Sequence, residues 1–371
     1  MERRRNQLNG RDRLYLERAD ELAARGAGNT SPNPPVGAVV VREGEIAGEG
    51  YHHKAGDAHA EVEALRAAGS GAGGATMYVS LEPCNHFGKT PPCSRAVIAA
   101  GIRRVVVGSL DPNPKTGGAG IAALQAAGID VTVATGQPSR LLESFNRSIL
   151  HAERPYIALK MAASLDGLIA SESGIQHWLT GPQARQFVRD LRTSHDAVMV
   201  GAGTVRVDDP QLTVRPPRTR LRPYVRVVVC ETDAIVPESN VLKPAAGYDR
   251  TILLAPAGAR ERFDIVRNSA DVVYVGDNTT RELDLAAAMR ALRERGINSV
   301  LCEGGPTIAG RLLSSGLIDR MYWLLAPAVL GGPGGVKALN LPEGSRLPSI
   351  AFDTVERLGE DLLLSGTVKR V

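Results

Sequence analysis

Apolar positions along the chain switch repeatedly between helical and strand spacing. Leu14, Ala19, Leu22 and Ala23 recur at helical intervals and predict a first helix over 11–25. A loop rich in Pro and Asn, 28–35, leads into Val36, Gly37, Ala38, Val39, Val40 and Val41, an apolar run of the buried-strand type. Residues 48–52 read as a second strand ending at a turn. Helical patterns then alternate with strands: helices over 59–68, 92–100 and 118–127, strands over 76–81, 104–109 and 131–134. That alternation predicts an α/β three-layer sandwich around a mixed sheet. A polar helix over 138–149 and a linker at 150–155 end this half, so the domains are 1–150 and 151–371. Strands follow over 156–162, 197–200, 226–230, 251–254, 272–275, 299–302, 320–326 and 362–368. Helices are expected over 182–193, 282–295 and 307–315. The second half is therefore expected to be a largely parallel sheet with helices on both faces.

The chemistry of the first half concentrates in Glu82-Pro83-Cys84-Asn85-His86-Phe87-Gly88-Lys89-Thr90-Pro91-Pro92-Cys93, read with His59-Ala60-Glu61. Each part alone means little: Cys84 by itself is an ordinary small buried hydrophobe, and His-x-Glu is common on helix faces. Together, one His and two Cys are the protein ligands of a catalytic zinc, which keeps its fourth position open and lowers the pKa of bound water to about 7. Glu61 follows His59 too closely to serve easily as a fourth ligand. It suits a proton shuttle, the role of the non-ligand Glu in zinc deaminases of bases. His59 opens one apolar-periodic run and Cys84 follows a strand, so two helix N-termini meeting at a strand end are expected to supply all three ligands.

Composition narrows the picture. The chain has 371 residues, 43% hydrophobic and 23% charged, ample for two buried cores. A net charge of +4 suits phosphorylated small molecules but lacks the basic surface of a nucleic-acid binder, and equally serves only to keep a protein dissolved. Four cysteines, two of them assigned to zinc, fit a reducing, cytoplasmic setting rather than a disulfide framework. The basic N-terminus is followed by no apolar segment, and no run of about 18 apolar residues occurs, so neither a secretory signal nor a membrane span is expected.

Base deaminases generally end the signature Pro-Cys-x-x-Cys; here eight residues separate Cys84 from Cys93. This longer loop resembles that of the bifunctional riboflavin-biosynthesis deaminase–reductase family, which carries Glu-Pro-Cys-x-His-x-Gly-(Lys/Arg)-Thr-Pro-Pro-Cys. The resemblance implies a cytidine-deaminase-like first domain with one Zn2+ on His59, Cys84 and Cys93 and with Glu61 catalytic. It also implies a substrate pocket lined by Asn33, His52, His86, Lys89, Thr90, Asp111 and Asn113. Lys89 suits a phosphate as a point charge, and Asn33 and Asn113 can donate to and accept from a base edge. For Asn33 and for Asp111-Pro112-Asn113-Pro114, plain turn chemistry fits as well.

Ala163-Ser164-Leu165-Asp166-Gly167 resembles the opening of the family's reductase half, which implies a dihydrofolate-reductase-like α/β fold. Gly304 and Gly305, after a strand and before a helix, would let a pyrophosphate approach the helix N-terminus. Gly201 to Val205 reads as another junction of strand and loop. The resemblance implies NADPH contacts from Ala162, Trp178, Thr204, Asp208, Gly304, Gly305, Pro306, Thr307, Ile308 and Ala309. It implies substrate contacts from Gln176, Arg192, Leu212, Arg215 and Glu303, with Arg192 and Arg215 as phosphate clamps; surface ion pairing is the bland reading of both. Trp178 equally fits as simple core, and Asp166 as the start of a turn.

Two departures stand out: Gln176 replaces a Ser, and Cys230-Glu231 stands where Asp-Ser is usual. A carboxylate at 231 would disfavour the 2′-phosphate of NADPH. The reading is hydrolytic deamination of a phosphorylated pyrimidine, 2,5-diamino-6-ribosylamino-4(3H)-pyrimidinone 5′-phosphate, followed by NADPH-dependent reduction of its ribosyl chain. A dimer or tetramer of identical chains is implied by the resemblance, with no nucleic acid and no membrane as partner. Two alternatives stay open: a deaminase whose second half only binds a ligand, and a nucleic-acid deaminase. An aromatic content of 4% offers the latter few stacking platforms.

Overall fold

The computed structural model describes residues 8–88, 91–114, 116–135, 139–150, 152–172, 179–214, 220–231, 235–279, 281–346 and 348–369. The chain divides into two compact units, Met1–Leu150 and His151–Val371.

The first unit runs α1 (Gly10–Gly26), β1 (Gly37–Arg42), β2 (Glu45–Tyr51), α2 (Ala60–Ala68), β3 (Thr76–Val79), α3 (Cys93–Ala99), β4 (Arg104–Val107), α4 (Ala119–Ala126), β5 (Asp130–Val133) and α5 (Glu143–Leu150). The five strands lie in the order β2-β1-β3-β4-β5. β1 pairs antiparallel with β2 and β3, while β3, β4 and β5 run parallel. The sheet is mixed for a topological reason: β1 to β2 is a hairpin, and each later strand returns through a helix. Leu16, Ala19 and Leu22 of α1 pack on one face with Val39, Tyr78 and Val106. Ala60 and Ala64 of α2, Val97 of α3 and Leu124 of α4 pack on the other with Ala38, Val40, Met77, Val79 and Val105. Side chains alternate across a strand, so neighbouring residues of β1 serve opposite layers. The expected polar helix begins as a short 3-10 turn, Arg140–Leu142, before α5.

The second unit runs β6 (Tyr156–Ala163), β7 (Leu168–Ala170), α6 (Pro182–Ser194), β8 (Ala197–Gly201), α7 (Ala202–Asp208), β9 (Val225–Val229), β10 (Thr251–Pro256), β11 (Ala270–Val275), α8 (Leu285–Glu294), β12 (Ser299–Gly304), α9 (Pro306–Ser314), β13 (Arg320–Leu325), β14 (Val336–Lys337), β15 (Ser349–Leu358) and β16 (Asp361–Lys369). Nine strands form one sheet in the order β11-β10-β9-β8-β12-β6-β13-β16-β15, and β14 pairs with β7. β6 and β8 through β13 are parallel, and β15 and β16 add an antiparallel hairpin at one edge. α8 and α9 cover one face. α6 covers part of the other, and the 3-10 segment Ala257–Val266 covers the rest of that face.

The chain leaves β6, forms β8 and builds outward to β11, then returns to insert β12 between β6 and β8. That reversal opens a crevice at the carboxyl ends of β8 and β12, the usual ligand position in an open α/β sheet. Gly201 to Val205 is not a junction of strand and loop: β8 runs straight into α7. Among the described residues no helix is long and apolar enough to cross a membrane.

Candidate active sites

His59 is the residue before α2 and ends an extended backbone segment. Cys93 opens α3. Cys84 lies on the loop after β3, not on a helix as expected, and that loop is clipped to α3: Ser94 N donates to Cys84 O (3.1 Å) and Cys93 N to Cys84 Sγ (3.4 Å). Nδ1 of His59 is 3.6 Å from Cys84 Sγ and 3.2 Å from Cys93 Sγ, and the three donor atoms all lie within 4.8 Å of one another. Tetrahedral zinc, with Zn–S near ~2.3 Å and Zn–N near ~2.1 Å, asks for N···S separations of about 3.6 Å, so the residues present fit that ion. A hydrogen bond from Cys93, with His59 assisting, holds the Cys84 thiol below its ordinary value.

Glu61, in the first turn of α2, is buried. Burial pushes its carboxyl up to about 7, the charge of Cys84 adds to that, and His59 opposes it. A carboxyl titrating near neutrality can both take and return a proton. Asn33 and His52 are brought to the same place. Asn33 Nδ2 donates to His52 Nε2 (3.1 Å), His52 Nδ1 donates to Ala58 O (3.0 Å), and the His52 and His59 rings meet edge-on with centroids 5.1 Å apart. Burial lowers the His52 pKa and favours the neutral ring, in the tautomer these two bonds assign.

The other expected pocket residues divide. Asp111 is absorbed in its own turn: its carboxylate accepts from Asn113 N (2.9 Å) and Thr116 Oγ1 (2.8 Å), the turn chemistry its composition allowed. Asn113 is half-buried beside it, and His86 is exposed on the loop after Cys84. Lys89, Thr90, Gln176, Trp178 and Arg215 lie outside the described residues.

In the second unit the two expected cofactor segments meet. Gly304 (φ 140°) and Gly305 (φ 84°) both take positive φ, which glycine adopts without strain, and they turn β12 into α9. A Cβ on Gly305 would lie 2.9 Å from Thr204 Oγ1, and one on Gly201 would lie 3.4 Å from Ile308 Cγ2. Thr204 is half-buried, and Thr307 and Asp208 are exposed. Ile308 and Ala309 turn their side chains into the core, which leaves only their backbone to a ligand. Ala162 is half-buried on β6. A glycine turn leading into a helix N-terminus fits the pyrophosphate of a dinucleotide.

Two residues expected at the substrate are held by their own surroundings. Leu212 is buried in the core at a positive φ of 53°. Arg192 does not present an open fork for phosphate. Nε and Nη2 engage Glu303, the latter at 2.9 Å, and Nη1 donates to Thr213 O (2.9 Å). The Glu303 side chain is buried and that of Arg192 half-buried, so the pair is not superficial. Burial alone would raise the Glu303 carboxyl; Arg192 and then Lys160 outweigh it and hold the group below its ordinary value. Glu303 is the extra residue where the register of β12 against β8 shifts, and such a bulge re-aims a side chain. Glu231 also has a partner, Arg311 of α9.

Three residues have partners that the sequence does not name. Lys160 of β6 brings its ammonium 3.6 Å from Glu303. Asp166 laces two loops: it accepts from Ser164 Oγ (2.5 Å), Gly331 N (2.8 Å) and Leu330 N (3.2 Å), which hold its carboxyl down to about 2. Glu82 is the third. Lys160 and Glu82 stood inside segments read only for strand pattern and for ligands, and nothing local to them names a partner.

These two sites define a zinc-dependent deaminase of bases joined in one chain to a nicotinamide-dependent reductase. Comparisons with known proteins agree. Residues 155–364 match the RibD C-terminal domain, and residues 10–109 match the cytidine and deoxycytidylate deaminase zinc-binding region. The chain is 41% identical to the riboflavin biosynthesis protein RibD of Escherichia coli (strain K12), over 95% of this chain and 98% of that one. It is 40% identical to the protein of that name from Bacillus amyloliquefaciens, over 96% of each. Among solved structures, Acinetobacter baumannii RibD aligns with a TM-score of 0.79 at 34% identity, covering 97% of this chain and 99% of that one. A diaminohydroxyphosphoribosylaminopyrimidine deaminase/5-amino-6-(5-phosphoribosylamino)uracil reductase from Thermotoga maritima aligns with a TM-score of 0.80 at 32% identity, over 97% and 99%. The chain belongs to the RibD family of riboflavin biosynthesis proteins. It is a bifunctional deaminase and reductase whose cofactors are Zn2+ and NADPH.

Proposed function

We propose that the first unit deaminates 2,5-diamino-6-ribosylamino-4(3H)-pyrimidinone 5′-phosphate and that the second reduces the ribosyl chain of the product to ribityl. The observation that carries the reading is the convergence of His59, Cys84 and Cys93 beside the buried carboxyl of Glu61. His59, Cys84 and Cys93 would hold zinc, which when bound activates water. Glu61 takes a proton from the attacking water and returns it to the leaving amine; the water oxygen bonds the ring carbon, the exocyclic carbon–nitrogen bond breaks and ammonia departs. Asn33, oriented by His52, offers its carbonyl oxygen to the substrate's base edge.

In the second unit the turn at Gly304 and Gly305 would hold the pyrophosphate of NADPH, which when bound supplies hydride. Reduction of the ring-opened ribosyl imine at C1′ also needs a proton at the neighbouring nitrogen. Lys160, with an ammonium beside Glu303, is the group we assign to hold that proton. Arg192 acts by fixing Glu303 rather than by clamping phosphate. The free thiols of Cys84, Cys93, Cys230 and Cys302 support a reducing, cytoplasmic setting, and an assembly of identical chains belongs to the same reading.

The test is a one-pot assay with purified protein, the diaminopyrimidinone ribosyl phosphate and NADPH, with zinc measured on the same sample. Ammonia release followed by NADPH loss, with one zinc per chain, is expected. Ammonia without NADPH or NADH oxidation would reduce the second unit to a ligand-binding module.

A further inference from the structure

Glu82 stands two residues before Cys84 and is buried, and its carboxylate is turned to α4. Its carboxylate instead collects four backbone amides. Oε2 accepts from Gly118 N (2.9 Å) and Asp111 N (3.3 Å), and Oε1 accepts from Gly120 N (3.0 Å) and Ile121 N (3.3 Å). Its own amide donates to Ser109 O (2.9 Å). α4 has no side-chain cap of its own. Glu82 supplies one from 36 or more residues away, placing negative charge on the unpaired amides and positive dipole end of that helix. The strap and the helix lie flush, because a Cβ on Gly120 would sit 1.9 Å from Pro83 O.

The consequence reaches the turn of Asn113, which the family resemblance assigns to the substrate pocket. Asp111, whose amide Glu82 holds, in turn holds Asn113 N through its carboxylate. Asn113 O accepts from Thr116 N (3.0 Å) and Gly117 N (2.7 Å), which closes the turn onto Gly118. One peptide strap thus carries the zinc ligand Cys84 and, through Glu82, the turn that presents Asn113.

We propose that Glu82 is a positioning residue of the deaminase, which sets the Asn113 turn in register with the ligand strap. This rests on the zinc-deaminase reading above. Charge-assisted bonds to amides are stronger than neutral ones, and a small misplacement at a site can cost large factors in rate or binding.

The experiment is Glu82→Gln in the full-length protein, which keeps the side chain's size but turns an amide –NH2 against backbone donors. Expected are one zinc per chain, an unchanged reductase rate, and a deaminase KM raised about tenfold or more with kcat within about threefold of wild type. An unchanged KM would overturn the proposal, as would a loss of zinc in step with activity, which would make Glu82 a support of the ligand strap alone. A second measurement needs no variant: amide hydrogen exchange at Gly118, Gly120 and Ile121 in the wild-type protein before and after zinc is chelated. Faster exchange after removal is expected, and identical protection would overturn the coupling. A wild-type protein that never carries zinc would sink the deaminase reading itself and this inference with it.

Discussion

Arg192 and Glu303 are 111 residues apart in the chain, yet they face one another as a largely buried two-pronged ion pair immediately before the glycine turn that opens α9. Lys160 approaches the same carboxylate from β6. The pair therefore links α6, β12 and β6 at the crevice where the sheet order reverses.

Removing one partner of a buried pair strands the other. Arg192→Ala should destabilise the second unit by about 3–5 kcal/mol and impair NADPH oxidation while ammonia release persists. Denaturant unfolding followed alongside both assays checks this. A loss confined to substrate KM, with stability unchanged, would restore the phosphate-clamp reading.

Glu61→Gln should keep one zinc per chain and lose deamination by a factor of ~10²–10⁴ or more, the usual worth of general acid–base help. Cys84→Ala should lose the metal. Zinc analysis beside an ammonia assay separates the two variants, and full activity in Glu61→Gln would remove Glu61 from the chemistry.

Asp20 of α1 gives a pH signature away from the metal. Burial pushes its carboxyl up to about 6, a hydrogen bond from Ser139 pulls the other way, and Glu17 adds to the rise. A folded-state pKa above the unfolded value of 3.8 means the folded chain prefers the proton, so this residue's contribution to stability declines as pH rises from about 4 to 6. Asp20→Asn should accordingly raise the melting temperature of the first unit at pH 8 and change it little at pH 4. The opposite order of effects would show that Asp20 is stabilised as a carboxylate.

Glu231 and Arg311 bear on cofactor choice. Paired with each other, they leave the guanidinium less available to a 2′-phosphate. Glu231→Ser should lower the KM for NADPH several-fold relative to NADH. Titration of the metal-free protein with 2′,5′-ADP and 5′-AMP checks the same point without turnover. An unchanged ratio of affinities would place the pair outside the cofactor's reach.

Much of the fold was legible because its central strands are unbroken apolar runs and its helices carry regular stripes. β15 was not: every residue in Ser349–Leu358 is exposed or half-buried, so no buried face marks it, and pairing with β16 makes it a strand. α7 was read as loop because Gly201 and Gly203 bracket its start. In the deaminase site Asn33 and His52 were legible through their motifs. The tautomer of His52, the turn that absorbs Asp111 and the inward side chain of Leu212 were not, since each depends on a neighbour or backbone angle the motif does not encode.

The sequence by itself determined the chemistry available to each half: one His, two Cys and a nearby Glu for the deaminase, and a glycine turn between strand and helix for the reductase. Those are local properties of residue type and spacing, readable wherever the segments end up. Only the tertiary structure decided which charges meet. Insertion of β12 between β6 and β8 brings Glu303 to Lys160 and Arg192, and the return of α4 toward the end of β3 brings four amides to Glu82. A buried carboxylate must find donors or lose its charge, and which donors it finds is settled by strand order, which no short window of sequence contains.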